Sequence, residues 1–389
     1  MSTKKVAVLD IASDVITLVV QDRKLAENYS FRATREYDGF FEGDFLDKEG
    51  LFKVIDSLVS ECEKATFSKL DRVLVGVPGE FTAVTCKFLE NDFGSVRKVT
   101  ERDEEYLLRK GKPVGDSFTC INASAIYFEL DDGTATVTPA GSGAVTQVLK
   151  GMVSYLTCEN SFLDLLGSIG ESLGLRFDYT SSVQAELLYV CPDNLRDEGV
   201  IVADVGYTTT SVAYGYGDGI LHALSFSLGS GHVAADLMEY LGIPYDHAYS
   251  LLDKINLNVM AREDDTYCVS LGSEMAYYNL KKVNEVASNR VMNIAENIKK
   301  ALDCSAYPVE SGTVLLLTGS GIAHIPGARE MVQRIVGRPT EILVPDIQQL
   351  NKPRYSQVAG LLVVQRKQLN QSKKSQILNI IKDTFSRRK

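Results

Sequence analysis

The sequence predicts an α/β protein made of two related lobes, and three observations carry that prediction. The chain has 389 residues, more than the roughly 250–300 over which a single hydrophobic core keeps growing. The stretches VAVLDIASDVITLVV (Val6 to Val20) and VADVGYTTTSVAYG (Val202 to Gly215) share one plan: an apolar strand, an aspartate (Asp10 or Asp204), a turn and a second apolar strand. A third stretch, VLLLTGSGIAHIPG (Val314 to Gly327), is an apolar strand that ends in Thr318-Gly319-Ser320-Gly321 and leads into a helical segment, Ala328 to Ile335.

The remaining elements follow in order. A helix is expected over Lys48 to Ala65, where Leu51, Val54, Ile55, Leu58 and Val59 recur at helical spacing. Ser161 to Gly174 reads as a helix, and LRFDYTSSVQAELLYV as a short strand followed by a helix with Gln184 near its start. GHVAADLMEYLG is helical, and a long helix is expected around Met275 to Leu302. Each lobe core should be a mixed sheet with flanking helices, the ligand cleft lying between them.

Composition narrows the function classes. With 45% hydrophobic and 24% charged residues the chain reads as an ordinary globular protein. A net charge of −10 argues against general affinity for nucleic acid phosphates, so no nucleic acid partner is expected. The seven cysteines form no C-x-x-C pair and, with the four histidines, no zinc spacing. A reduced cytosolic compartment is the simple reading. MSTKKVAVLD has too few apolar residues for a signal peptide, and no later run is long enough to span a bilayer, so a protein neither exported nor integral is expected.

The end of the chain differs in charge. From Arg366 to Lys389 there are eight lysines and arginines against one acid, Asp383; that end carries +7 and, the whole being −10, the rest carries −17. In SQILNIIKDTFSRRK, Ile377, Leu378, Ile381 and Phe385 make one helical stripe flanked by Ile380, with Lys382, Arg387 and Arg388 on the polar flank and end. Such a helix, after the polar linker NQSKKS, would lie in the interface of an anionic membrane, each basic residue adding roughly 1 kcal/mol. The alternative is a terminal helix packed back onto the protein.

The two aspartate hairpins suit a phosphate clamp. Small or hydroxylated residues at the tips let backbone N–H groups and hydroxyls converge on anionic oxygens, and a carboxylate at the strand end can hold a magnesium ion or its waters. Asp10 and Asp204 are the pair for the metal. Each copy alone reads more simply as a hairpin with an Asp in its turn. The glycines at 319 and 321 would permit close approach to a flat ligand such as adenine, or simply mark an ordinary strand-to-helix turn.

Two hairpins followed by a glycine loop, in this order, resemble the actin-like ATPase superfamily. The match narrows to the FtsA family of bacterial cell-division proteins through DRVLVGVPGEFTAVTCKFLENDFGSVRKVTERDEEYLLRKG (Asp71 to Gly111), FTCINASAIYFELDDG (Phe118 to Gly133) and PRYSQVAGLLVVQRK (Pro353 to Lys367). The resemblance covers essentially the whole chain. It implies an actin-like, ribonuclease H-like duplicated two-lobed fold with an FtsA-type inserted subdomain and a C-terminal amphipathic helix. The implied domains are a first lobe core of 1–80 with 159–199 and 346–365, an inserted subdomain of 81–158, a second lobe core of 200–232 with 312–345, a small subdomain of 233–311, and a linker and membrane helix of 366–389.

The same resemblance implies ATP and Mg²⁺ as cofactors, bound by Asp10, Ala12, Ser13, Asp204, Gly206, Tyr207, Thr208, Gly319, Ser320, Gly321 and Ile322, with Gln184 orienting a water toward the γ-phosphate. Gln184 also reads as an ordinary helix-start glutamine. The partners implied are the FtsZ C-terminal peptide, docked on 233–311, other division proteins, the membrane, and further copies of the chain in actin-like filaments. The place implied is the inner face of the cell membrane at the division site. The sequence departs from the family pattern at Ala12, Asp14 and Val15 in the first turn, and at Tyr207, Thr208 and Ser211 in the second. Tyr249 and Leu252 fall where relatives often carry the Glu and Lys that reach the ribose. A carboxylate near phosphate repels it, so weak binding and at most weak ATP turnover are expected. Other readings are a PilM-like scaffold or pseudo-ATPase of another membrane machine, and a sugar or acetate kinase, for which no convincing catalytic-base motif is present.

Overall fold

The computed structural model describes residues 5–21, 29–137, 139–272 and 274–368. The first lobe opens with strands β1 (Val6–Ile11), β2 (Val15–Gln21) and β3 (Tyr29–Glu36). β1 and β2 are buried along almost their whole length, as near-continuous apolar runs covered on both faces must be. Helix α1 (Lys48–Thr66) follows; the Asp47 side chain accepts from Gly50 N at 2.8 Å at its start, and Leu51, Ile55, Leu58, Val59 and Cys62 form the buried stripe. Next come β4 (Arg72–Val77) and then the inserted subdomain: β5 (Thr82–Lys98), α2 (Glu101–Lys110), β6 (Phe118–Glu129) and β7 (Val145–Glu159). The chain returns to the first lobe through α3 (Asn160–Leu173), β8 (Arg176–Ser181) and α4 (Ser182–Tyr189).

The second lobe repeats the plan. It comprises β9 (Val200–Val205), β10 (Thr210–Tyr216), β11 (Gly219–Phe226), α5 (Ser230–Leu241), α6 (Tyr245–Leu252), the hairpin β12 (Thr266–Leu271) and β13 (Glu274–Asn279), α7 (Leu280–Asp303), β14 (Val314–Thr318), α8 (Ala328–Val336) and β15 (Thr340–Ile342). A last helix, α9, covers 356–368. The lobe sheets have the orders β3-β2-β1-β4-β8 and β11-β10-β9-β14-β15. In each, the first three strands are antiparallel and the last two join in parallel. Even the register repeats: Asp10 faces Thr17, and Asp204 faces Ser211. The duplication read from the two hairpins is thus present strand for strand.

The inserted subdomain is an antiparallel sheet, β5-β7-β6, with the two-residue strand Ala135–Thr136 at its edge. It leans on the second lobe, where Ser154 Oγ donates to the Ile220 carbonyl at 2.6 Å. α9 then crosses back. Val358, Leu361 and Leu362 pack with Val6, Val8, Val19 and Leu74 under the first lobe sheet, and Gly360 lies so close to α4 that a Cβ there would stand 2.5 Å from the Ala185 carbonyl.

One expectation needs correction. The long helix starts at Leu280, not near Met275, because Asn279 caps it by accepting from Lys282 N at 3.0 Å. Residues 274–279 form β13, paired to β12 with Ala276 opposite Val269. Residues 366–368, expected to begin a linker, are the last described turn of α9. The expected membrane helix, with Ile377, Leu378, Ile380, Ile381, Phe385, Lys382, Arg387 and Arg388, lies outside the described residues. Among those described, no helix is long and apolar enough to cross a membrane.

Candidate functional site

A cleft of about 350 Å³ lies between the lobes, at the strand ends where the two hairpins turn. That is the low end of the range for small-molecule sites, roughly 300–1,000 Å³. Each turn is closed by one backbone bond: Ala12 N donates to Val15 O at 3.0 Å, and Gly206 N donates to Thr209 O at 2.8 Å. The tips meet across the cleft, where Thr208 N donates to Ser13 Oγ at 3.0 Å. The second turn is further held from α5, since Gly231 N donates to Tyr207 O at 2.7 Å.

The glycine turn after β14 packs on the end of β9. Gly321 N donates to Val205 O at 2.7 Å. Gly319 has φ +94°, and a Cβ there would collide with the Asp204 carboxylate. These glycines permit a close approach, as the sequence suggested, but what approaches them is the second hairpin.

Carboxylates dominate the electrostatics. Asp10, Asp14, Glu80, Asp204 and Asp253 line the cleft, and its basic side chains are Arg354 and His324. Burial, then the charges of Asp204 and Asp14, push the Asp10 carboxyl up to about 7. Burial raises Asp14 to about 6 against its own backbone hydrogen bond and the Arg354 guanidinium. Burial also lifts Glu80, opposed by a hydrogen bond from Thr209, and it lowers His324, which favours the neutral imidazole. Beneath the cleft floor Glu186 is fully buried. Burial, and then the Asp204 charge, hold its carboxyl well above the usual range. Its Oε2 is buried without a hydrogen-bond partner, which favours the protonated, neutral carboxyl there.

Of the residues expected to bind a cofactor, Asp10, Ala12, Ser13, Asp204, Gly206, Tyr207, Gly319 and Ser320 line the cleft. Thr208 contributes its backbone N–H to Ser13. Gly321 supports the turn from behind. Ile322 does not reach the cleft: it is fully buried in the second lobe core. Gln184 is not brought there either. It lies near the start of α4, as read from sequence, but its side chain is buried and donates to Ser124 Oγ of β6 at 3.0 Å. The sequence reading missed Glu80, Glu186, Arg354 and Gln357. Gln357 donates to Asp204 Oδ2 at 2.7 Å. The clue was an uncharged polar pair, Ser356-Gln357, set just before the apolar run Val358 to Val364. Tyr249 and Leu252, noted as departures, do line the cleft, and the Tyr249 ring meets Tyr207 edge-on at 5.8 Å between centroids.

The residues fit a cation better than a bare phosphate chain. Asp10 Oδ1 is buried without a hydrogen-bond partner, an acceptor left over for a cation or its water. Among the described residues no group of three or more His, Cys, Asp or Glu is arranged to hold a metal by itself, so waters or phosphate oxygens would complete any coordination. A polyphosphate would face the carboxylates with Arg354 as its fixed positive charge, and fits only together with a cation and with the Ser13–Thr208 contact parted.

Two duplicated lobe sheets, paired aspartate hairpins and a glycine turn around one cleft define a protein of the actin-like ATPase fold. Solved structures of that kind are similar over nearly the whole chain. The PilM-PilN type IV pilus biogenesis complex matches at TM-score 0.61 and 13% identity, covering 94% of this chain and 99% of that one. MreB 5 of Spiroplasma citri bound to AMPPNP matches at TM-score 0.57 and 13% identity, covering 97% and 99%. A family model described as Cell division protein FtsA matches residues 201–360. Cell division protein FtsA of Streptococcus pneumoniae is 22% identical, covering 91% of this chain and 78% of its own length. That of Enterococcus hirae is 24% identical, covering 91% and 81%, and that of Escherichia coli K12 is 22% identical, covering 83% and 81%. The family resemblance in the sequence is borne out: the chain matches the FtsA model over 201–360 and is similar to FtsA proteins over as much as 91% of its length.

Proposed function

We propose that the chain is an FtsA-like scaffold of the actin fold that assembles into filaments and tethers FtsZ filaments to the inner face of the cell membrane during division. The similarity to FtsA proteins over as much as 91% of the chain carries this reading. The subdomain 233–311 would take the FtsZ C-terminal peptide, and the basic, apolar stretch after residue 368 would take the anionic membrane. The cleft would hold Mg²⁺ and ATP, with Asp10 and Asp204 at the cation and the turn residues Ser13, Gly206 and Tyr207 beside the phosphates. The cation would neutralise both phosphate and carboxylate charge there. Assembly control, more than ATP turnover, is the use that a self-contacting, acid-lined cleft supports, since Gln184 is engaged by Ser124.

The test is to truncate the chain at Gln371 and measure sedimentation with vesicles rich in anionic lipid, with and without FtsZ. The truncated chain should still bind FtsZ but no longer bring it to vesicles. Undiminished vesicle binding would refute the tail's role. A PilM-like scaffold is the second reading, favoured by the structural match to the PilM-PilN complex; loss of vesicle binding together with retained FtsZ binding would count against it.

A further inference from the structure

α9 begins on the cleft. Its first residue, Ser356, donates to Glu186 and accepts from Thr318 Oγ1 at 2.9 Å. Its second, Gln357, donates through Nε2 to Asp204 Oδ2 at 2.7 Å. The body of the helix packs on the other lobe, against Val6, Val8 and Leu74. One short segment therefore joins the second lobe's acid to the first lobe's sheet. Gly319 crowds the other oxygen of Asp204, since even a Cβ would collide with Oδ1. Oδ1 of Asp204 thus lies against the Gly319 backbone, and Oδ2 carries the Gln357 amide. Nearby, Asp10 Oδ1 is buried and free of any donor.

We propose that Gln357 is an internal competitor for the cation seat at Asp204, so that filling the cleft breaks one of the bonds that tie the start of α9 to the second lobe and loosens the helix there. This rests on the reading of the cleft as a cation and nucleotide site. A carboxylate oxygen has lone pairs for more than one partner, but a divalent cation seated on Oδ2 repels the positively charged amide hydrogens already there and draws off the electron density they bind. The cation therefore displaces Gln357, and the helix loses the bond that anchors its second residue to the second lobe. Gln357 acts here as a positioning residue, and it satisfies Asp204 Oδ2 until a cation takes its place.

The experiment uses the full chain, with magnesium alone and magnesium with AMPPNP as probes. Isothermal titration compares the wild type with Gln357→Leu, which keeps side-chain bulk and removes the donor. The variant should bind magnesium-AMPPNP about tenfold more tightly, the scale of one hydrogen bond to a charged group. Hydrogen exchange of the amides at 356–362 should quicken in the wild type on adding the ligand, and should be fast and ligand-independent in the variant. Equal affinities, or α9 exchange in the wild type that ignores saturating ligand, would overturn the inference alone. The exchange arm needs no variant and decides the matter if Gln357→Leu does not fold. Absence of binding heat with either form would overturn the reading of the cleft, and the inference with it.

Discussion

Thr208 donates its backbone N–H to the hydroxyl of Ser13, so the tips of two hairpins from different lobes are bonded to each other at 3.0 Å. The bond closes the mouth of the cleft between strand ends that carry Asp10 and Asp204 at equivalent registers. Removing the hydroxyl leaves a partly buried N–H unpaired, at a cost of about 1 kcal/mol. Ser13→Ala should therefore lower the melting temperature by about 2 °C, while Ser13→Thr keeps the acceptor and the stability. Scanning calorimetry of the three forms checks this; identical melting of Ser13→Ala and wild type would mean the tips do not hold each other in solution.

The buried acids give the protein a reversed pH dependence over part of the scale. Asp10 at about 7 and Asp14 at about 6 lie above the ordinary aspartate value of 3.8. A group with a raised folded value holds its proton in the folded state after the unfolded chain has released it. Its contribution is complete below about pH 4 and is lost as pH rises through 6 and 7. Stability should fall by on the order of a few kcal/mol from pH 5 to pH 8, and Asp10→Asn should flatten part of that slope. Urea unfolding at a series of pH values reads this directly, and a wild-type curve that rises over the same interval would contradict it.

A second polar device lies away from the cleft. Arg290 of α7 grips Asp236 of α5 through two hydrogen bonds of 2.7 Å, with the side chains 24% and 16% exposed. A bidentate pair this well covered locks the two helices of the small subdomain. Arg290→Ala leaves the carboxylate half-buried and alone, at an expected cost of about 2 kcal/mol, less than the 3–5 of a fully buried pair. Asp236→Asn in the same background should recover part of it. The coupling from a double-mutant cycle in urea is the measurement; additive effects would show that the pair is not a lock.

Local pattern carried the fold because the signals repeat. β1–β2 and β9–β10 each combine apolar runs with an aspartate before a turn, and two copies constrain each other where one would not. The α7 boundary was harder: Met275, Ala276, Tyr277 and Tyr278 suit both periods, and only the capping bond of Asn279 decides. The site was half legible. Asp10, Asp204 and the turn residues announce themselves as polar breaks in apolar strands. Glu186 and Gln357 sit inside helices, where a polar residue normally faces water, and their roles arise from contacts 170 and 153 residues away in sequence. Gln184 and Ile322 misled for the converse reason: burial by the inserted sheet and by the lobe core is set by tertiary packing that a short motif does not encode.

The seam between α9 and α4 yields the last prediction. Both helices belong to the junction of the lobes, for α4 leads into β9 and α9 leaves the second lobe for the first. They touch backbone to backbone at Gly360, where a Cβ would stand 2.5 Å from the Ala185 carbonyl, well inside van der Waals contact. An alanine at 360 is good for an isolated helix, by up to about 1 kcal/mol over glycine. The overlap should nevertheless win, because relieving it means moving a helix whose Val358, Leu361 and Leu362 are buried, and overpacking of this kind costs about 1–3 kcal/mol. Gly360→Ala should thus be destabilising on balance, and its strain should appear at the lobe junction. Hydrogen exchange should quicken over 356–362 and over Ser182–Tyr189 while the β12–β13 hairpin keeps its protection. A variant as stable as the wild type, or one loosened evenly throughout, would show that the two helices do not meet as closely as the fold requires.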